Sequence, residues 1–189
     1  MEELPYQLYH AEKWDELHEC ISTLGYMSRQ FSTNNIHEFI LYWRTLKQAD
    51  ASKYKISQAY IEQIMGSMAE KAEMAVMLQW AYWQMFRNDV IRLTNICISY
   101  LDDLDAAYEL VEFLIRMCDQ MADGDTSEER CSFHNLAGMI CIRKKEYIQA
   151  LKEYREGLSL AVHAYGEDDL KITSYLCNIA DVYLSLIHI

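Results

Sequence analysis

The segments Phe133-His-Asn-Leu-Ala-Gly-Met-Ile-Cys141 and Tyr175-Leu-Cys-Asn-Ile-Ala-Asp-Val-Tyr183 carry one pattern of small and apolar residues twice. Anchored on Gly138/Ala180 and Cys141/Tyr183, the two copies lie 42 residues apart. A shift of one residue aligns Asn135-Leu-Ala with Asn178-Ile-Ala instead, and the letters alone leave both registers open. A period of this size, set by small residues on helical segments, marks a stacked helical array. Such arrays bury a continuous core between neighbouring repeats and present an extended surface to partners; they seldom carry chemistry.

Within the first copy, Gly138 is followed by Ala150, Tyr154 and Gly157. Small residues at those positions let two antiparallel helices approach closely, with Tyr147, Leu151, Tyr154 and Leu158 filling the space between them. The closest approach is expected near Gly138 and Ala150.

The rest of the chain is helical by the same kind of reading. One proline and six glycines in 189 residues leave α-helix as the only major element. Pro5 sits in a first helical turn, where its missing N–H costs nothing. Residues 14–24 place Trp14, Leu17, Ile21 and Leu24 at spacings of three and four. Asn35-x-x-Glu38 and Thr126-x-x-Glu129 read as capping boxes that open helices. Further helices are expected over 36–47, 54–65, 69–86, 90–101 and 106–121, some ten or eleven in all. The linker is Ala122-Asp-Gly-Asp125, and the uncharged run 74–86 is too short to span a bilayer.

Charge and cysteine usage exclude several classes. A net charge of −12 argues against a nucleic-acid or anionic-membrane surface, because both need a basic stripe. No apolar leader follows Met1-Glu-Glu, so six cysteines inside helical segments read as buried thiols of a cytoplasmic protein. Cys131-x-x-His134 has one pair of zinc-type ligands without a second pair, so no metal site is expected. Asp102, Asp103 and Asp105 lack the alternation and glycine of a calcium loop and read as a solvated helix junction. Trp80-Ala-Tyr-Trp83 reads as core packing. No cofactor and no catalytic set is expected.

The segment Tyr147-Ile-Gln-Ala-Leu-Lys-Glu-Tyr-Arg-Glu-Gly-Leu-Ser-Leu160 resembles the second helix of a tetratricopeptide repeat. The connector after it, with Tyr165, Gly166, Asp168 and Ile172, resembles those of kinesin-light-chain-like and nephrocystin-type repeats, with Asp169 for the usual His and Leu170 for the usual Pro. Near the N-terminus, Leu4-Pro-Tyr with Trp14-Asp-Glu-Leu17 and Tyr42-Trp-Arg44 resembles the helical segment that follows the NTPase module in NACHT-type signalling ATPases of the nephrocystin kind.

The resemblance covers about 3–46 and 126–184. It implies an all-α fold, a right-handed α-solenoid of antiparallel helix pairs. Residues 1–50 would be the post-NTPase segment, 51–125 degenerate repeats, and 126–189 one repeat plus the first helix of another. No Gly-x-x-x-x-Gly-Lys-Ser/Thr phosphate loop is present. The resemblance therefore implies a non-enzymatic interaction portion of a larger regulator; a free-standing adaptor is the alternative.

In this repeat type the first helix of each pair lines the peptide groove. Carried onto this chain, that position gives Ser132, Asn135, Met139, Arg143, Ser174, Asn178 and Asp181. The two asparagines either offer donors and acceptors to a peptide backbone or bond adjacent helices to each other. At the far end, Leu184-Ser-Leu-Ile-His-Ile189 resembles the translation of sequencing-adaptor read-through, and a truncated repeat is expected. Its last helix would carry Ile172, Leu176, Ile179, Val182, Tyr183 and Leu186 as one uncovered stripe and so drive self-association.

Overall fold

A computed structural model describes residues 3–33, 35–69, 76–120, 126–167 and 169–187, without the side chains of 3, 76–80 and 82. The described residues are all-α, with ten helices and no strand. Ala122-Asp-Gly-Asp125, Asp168 and the side chains of Trp80 and Tyr82 lie outside the described residues. The chain divides into two compact units, Met1–Ala106 and Ala107–Ile189.

The first unit holds α1 (Glu3–His10), α2 (Trp14–Ile21), α3 (Leu24–Ser32), α4 (Ile36–Asp50), α5 (Ile56–Ala69) and α6 (Val76–Ser99). Of the apolar residues spaced along 14–24, Leu17 and Ile21 are fully buried while Trp14 and Leu24 are only partly so; Phe39, Trp43 and Leu46 of α4 are also almost fully buried. Around them stands an aromatic cluster, with Trp43 and Tyr60 rings 5.9 Å apart and Phe31 and Phe39 rings 5.6 Å apart. Tyr60, also buried, donates its hydroxyl to Ile21 O at 2.6 Å, so its one polar atom is satisfied inside the core.

Two helix assignments differ from the sequence expectation. Residues 14–24 are not one helix, because the Thr23 hydroxyl accepts from the Tyr26 N–H at 3.2 Å and so starts α3 there. Conversely 69–86 and 90–101 are not two helices separated at Arg87-Asn-Asp89. Val76–Ser99 is continuous, and Asp89 accepts from the Ser28 hydroxyl at 2.8 Å on α3.

Neither proposed capping box forms. Asn35 and Thr126 have ψ of 49° and 12°, away from the extended backbone that aims a side chain at the helix N–H groups. The Thr126 hydroxyl is buried and donates to Cys118 O instead.

The acidic junction after α6 has a structural role. Asp103 accepts from the Ala106 N–H at 3.2 Å and pairs with Lys47 at 3.1 Å, while Arg44 donates to Tyr100 O at 2.8 Å. These bonds tie the end of α6 to α4. Asp102 takes the left-handed conformation, φ 47°, that turns the chain out of α6.

The second unit holds most of α7 (Leu104–Gln120), then α8 (Ser127–Arg143), α9 (Tyr147–Tyr165) and α10 (Leu170–Ile187). Helices α8 and α9 are antiparallel: Cys141 clusters with Ala150, Gly138 lies under the Tyr154 ring, and Gly157 lies against Cys131 and His134. A Cβ built on Gly138 would stand 2.5 Å from Tyr154 Cε1, so the contact exists because that Cβ is missing. The turn between the helices places Lys145 at φ 63°. Helix α10 runs antiparallel to α9 in turn, with Val182 packed in the Ala150–Tyr154 cluster and Ile172 and Tyr175 beside Ala161.

Burial selects between the two sequence registers. At 42 residues, Phe133, Ala137 and Ile140 on α8 correspond to Tyr175, Ile179 and Val182 on α10, all buried or partly buried. Shifted by one more residue, they correspond to exposed Leu176, Ala180 and Tyr183. Only the 42-residue register carries the same inward face on both helices.

Candidate protein-interaction groove

Helices α8 and α10 run in the same direction, each packed on α9, and a side-chain bond joins them. Asn178 Nδ2 donates to Asn135 Oδ1 at 2.8 Å, and both side chains are half-buried. The asparagines are not repeat equivalents, being 43 residues apart; they meet because the helices stand side by side. That bond uses one donor and one acceptor. Asn135 Nδ2 and Asn178 Oδ1 remain able to meet a peptide C=O and N–H.

The other five candidates line the same stripe of each helix. At roughly 100° per residue, Ser132, Asn135, Met139 and Arg143 fall within a sector of about 80°, and Ser174, Asn178 and Asp181 within about 60°. Ser132, Met139, Arg143, Ser174 and Asp181 are exposed. Ser132 already donates its hydroxyl to Glu128 O at 2.9 Å, so it offers acceptor capacity only. Met139 supplies an exposed, adaptable apolar contact. Arg143 and Asp181 give the face one charge of each sign.

Behind this face lies a polar cluster that the sequence reading did not identify. Glu153, buried in α9, accepts from the Tyr108 hydroxyl at 2.9 Å and from Gln149 Nε2 at 2.6 Å, and its other oxygen lies 2.9 Å from His134 Nδ1. Burial pushes the Glu153 carboxyl up, but bonds from His134, Tyr108 and Gln149 outweigh it and hold Glu153 below the ordinary glutamate range. The available signal was position: Glu153 falls between Ala150, Tyr154 and Gly157 on the inward face of α9, where an unpaired carboxylate would be costly.

Cys131 and His134 therefore turn to separate structural partners. The Cys131 thiol donates to Glu128 O at 3.1 Å, and His134 faces inward to Glu153. All six cysteines are free. Burial, reinforced by nearby Glu153, pushes the Cys141 thiol up to about 12, which makes it an inert core thiol.

Among the described residues no cluster of three His, Cys, Asp or Glu side chains is arranged to hold a metal, and no helix is long and apolar enough to cross a membrane. No protein-family model, curated protein or solved structure matches the chain.

Proposed function

We propose that the chain is a non-enzymatic protein-interaction module of the α-solenoid kind, with tetratricopeptide-like pairing of α8 with α9 and a new pair begun by α10. Its partner is an extended peptide lying across α8 and α10, in contact with Asn135, Met139, Asn178 and Asp181. The observation that carries this reading is the Asn135–Asn178 bond on a face otherwise exposed, in a segment whose inward residues recur at 42. Half-satisfied amides beside an exposed methionine match the mixed backbone-and-side-chain recognition of a peptide groove.

On the same reading, the chain serves as the scaffold or sensing portion of a cytoplasmic NACHT-type regulatory ATPase, the class its N-terminal segment resembles. A free-standing adaptor uses the same groove, so the peptide-binding test applies to both. Linear peptides selected by display against the folded chain should bind wild type and Ile148→Glu equally. They should lose tenfold or more in affinity to Met139→Glu and to Asn178→Leu. Binding indifferent to both groove substitutions would overturn the assignment.

A further inference from the structure

Packing against α9 fixes which side of α10 borders the groove. Ile172 and Val182, expected from sequence to lie uncovered, are buried against α9, and Ile179 and Leu186 pack on the same cluster as Val182. Asn178 lies beyond that face, bonded to Asn135. Because α8 and α10 run in the same direction, a bond between positions 43 apart also sets which residues stand level across the seam.

The charges on the two stripes then fall into a pattern. Glu128 and Lys171, again 43 apart, stand level where the two helices begin, and being opposite in sign they offset each other. The Lys171 ammonium is also held over the Tyr165 ring, 3.5 Å from its centroid. Past the asparagines this offset ends. Asp181 stands level with Gly138, one residue short of the exposed Met139, and both are on the groove stripes. Arg143 lies about 7.5 Å farther along α8 than that level, at about 1.5 Å per residue. Leading away from the amide pair, the seam therefore presents an apolar side chain level with a carboxylate, and then a guanidinium.

We infer, on the reading that α8 and α10 form the peptide groove, that the peptide carries a basic side chain at Met139 and Asp181 and an acidic side chain two residues away at Arg143. Lysine or arginine suits the first position: the aliphatic stem packs on the methionine while the charged head reaches the carboxylate. At the second, a planar guanidinium pairs a carboxylate through two parallel N–H bonds. Side chains two apart on an extended chain point to one face and stand about 6.6–7 Å apart, which matches the separation of the two charges along the seam. The net charge of −12 favours approach of the basic residue, and Arg143 fixes the register.

Linear peptides selected by display against the folded chain should share a Lys or Arg and an Asp or Glu spaced by two. Calorimetry on one such peptide then tests the pairing. Asp181→Asn, and separately methionine in place of the peptide's basic residue, should each weaken binding roughly threefold to tenfold, and the two together no more than either alone. Arg143→Gln should behave the same way with glutamine in place of the peptide's acidic residue. Both substitutions are at exposed positions and should leave the helical circular dichroism unchanged. Selected peptides without the charged pair, or losses that simply add, would overturn the inference and leave the groove standing if Asn178→Leu still abolishes binding. Binding indifferent to Asn178→Leu and Met139→Glu would remove the groove, and the inference with it.

Discussion

At the scale of single residues, the side chain that most shapes the second unit is a buried carboxylate. Glu153 binds groups on α7, α8 and α9 at once, so Glu153→Ala leaves Tyr108, Gln149 and His134 without their acceptor in the interior. The expected cost is about 2–4 kcal/mol, read by urea unfolding. Removing the exposed Lys13–Glu16 pair should cost less than about 0.5 kcal/mol in the same measurement.

Because the folded Glu153 pKa is depressed, its contribution is present above the unfolded glutamate pKa and disappears as pH falls through the lower folded value. His18 acts in the same direction at higher pH. Burial against Trp43 and Tyr54 lowers its pKa from 6.5, so the unfolded chain binds the proton first, and stability falls as pH drops below that value. Melting temperatures measured between pH 8 and 5 should decline in wild type and decline less in His18→Phe.

At the scale of elements, glycine positions separate packing from propensity. Gly66 in α5 and Gly25 in α3 have open space where a Cβ would stand. Alanine at either should stabilise by about 0.4–1 kcal/mol, chiefly by restricting the unfolded chain. Gly138→Ala has the same propensity gain but drives a Cβ into the buried Tyr154 ring, and a net loss of about 1–3 kcal/mol is expected. Equal effects at all three sites, read by thermal unfolding, would contradict the packing of α8 on α9.

That contact was legible in the sequence because a small residue opposite a ring is a local pattern. So were the three C-terminal helices and the buried faces of α2 and α4, which follow from spacing alone. The caps were not legible: Asn35 and Thr126 are suitable residue types, but backbone torsion decides whether their oxygens reach an N–H. Nor was the continuity of α6, where a polar trio looks like a connector until Ser28 on another helix is found holding Asp89. The Glu153 cluster was hidden for a related reason, since its members lie far apart along the chain and meet only through tertiary packing.

At the scale of the whole molecule, the proposal is of a surface that recognises without transforming. Titration of magnesium-ATP into the chain should give no saturable heat, because no glycine-rich loop follows a strand to cradle phosphate; saturable binding abolished by a single substitution would contradict this. The measurement that tests the central claim most directly is hydrogen exchange of the chain with and without a display-selected peptide. Added protection should concentrate in 132–143 and 174–181, the two stripes joined by Asn135 and Asn178. Protection confined to the first unit, or to the turn around Ile148, would show that the partner binds elsewhere and that the α8–α10 face is not the groove.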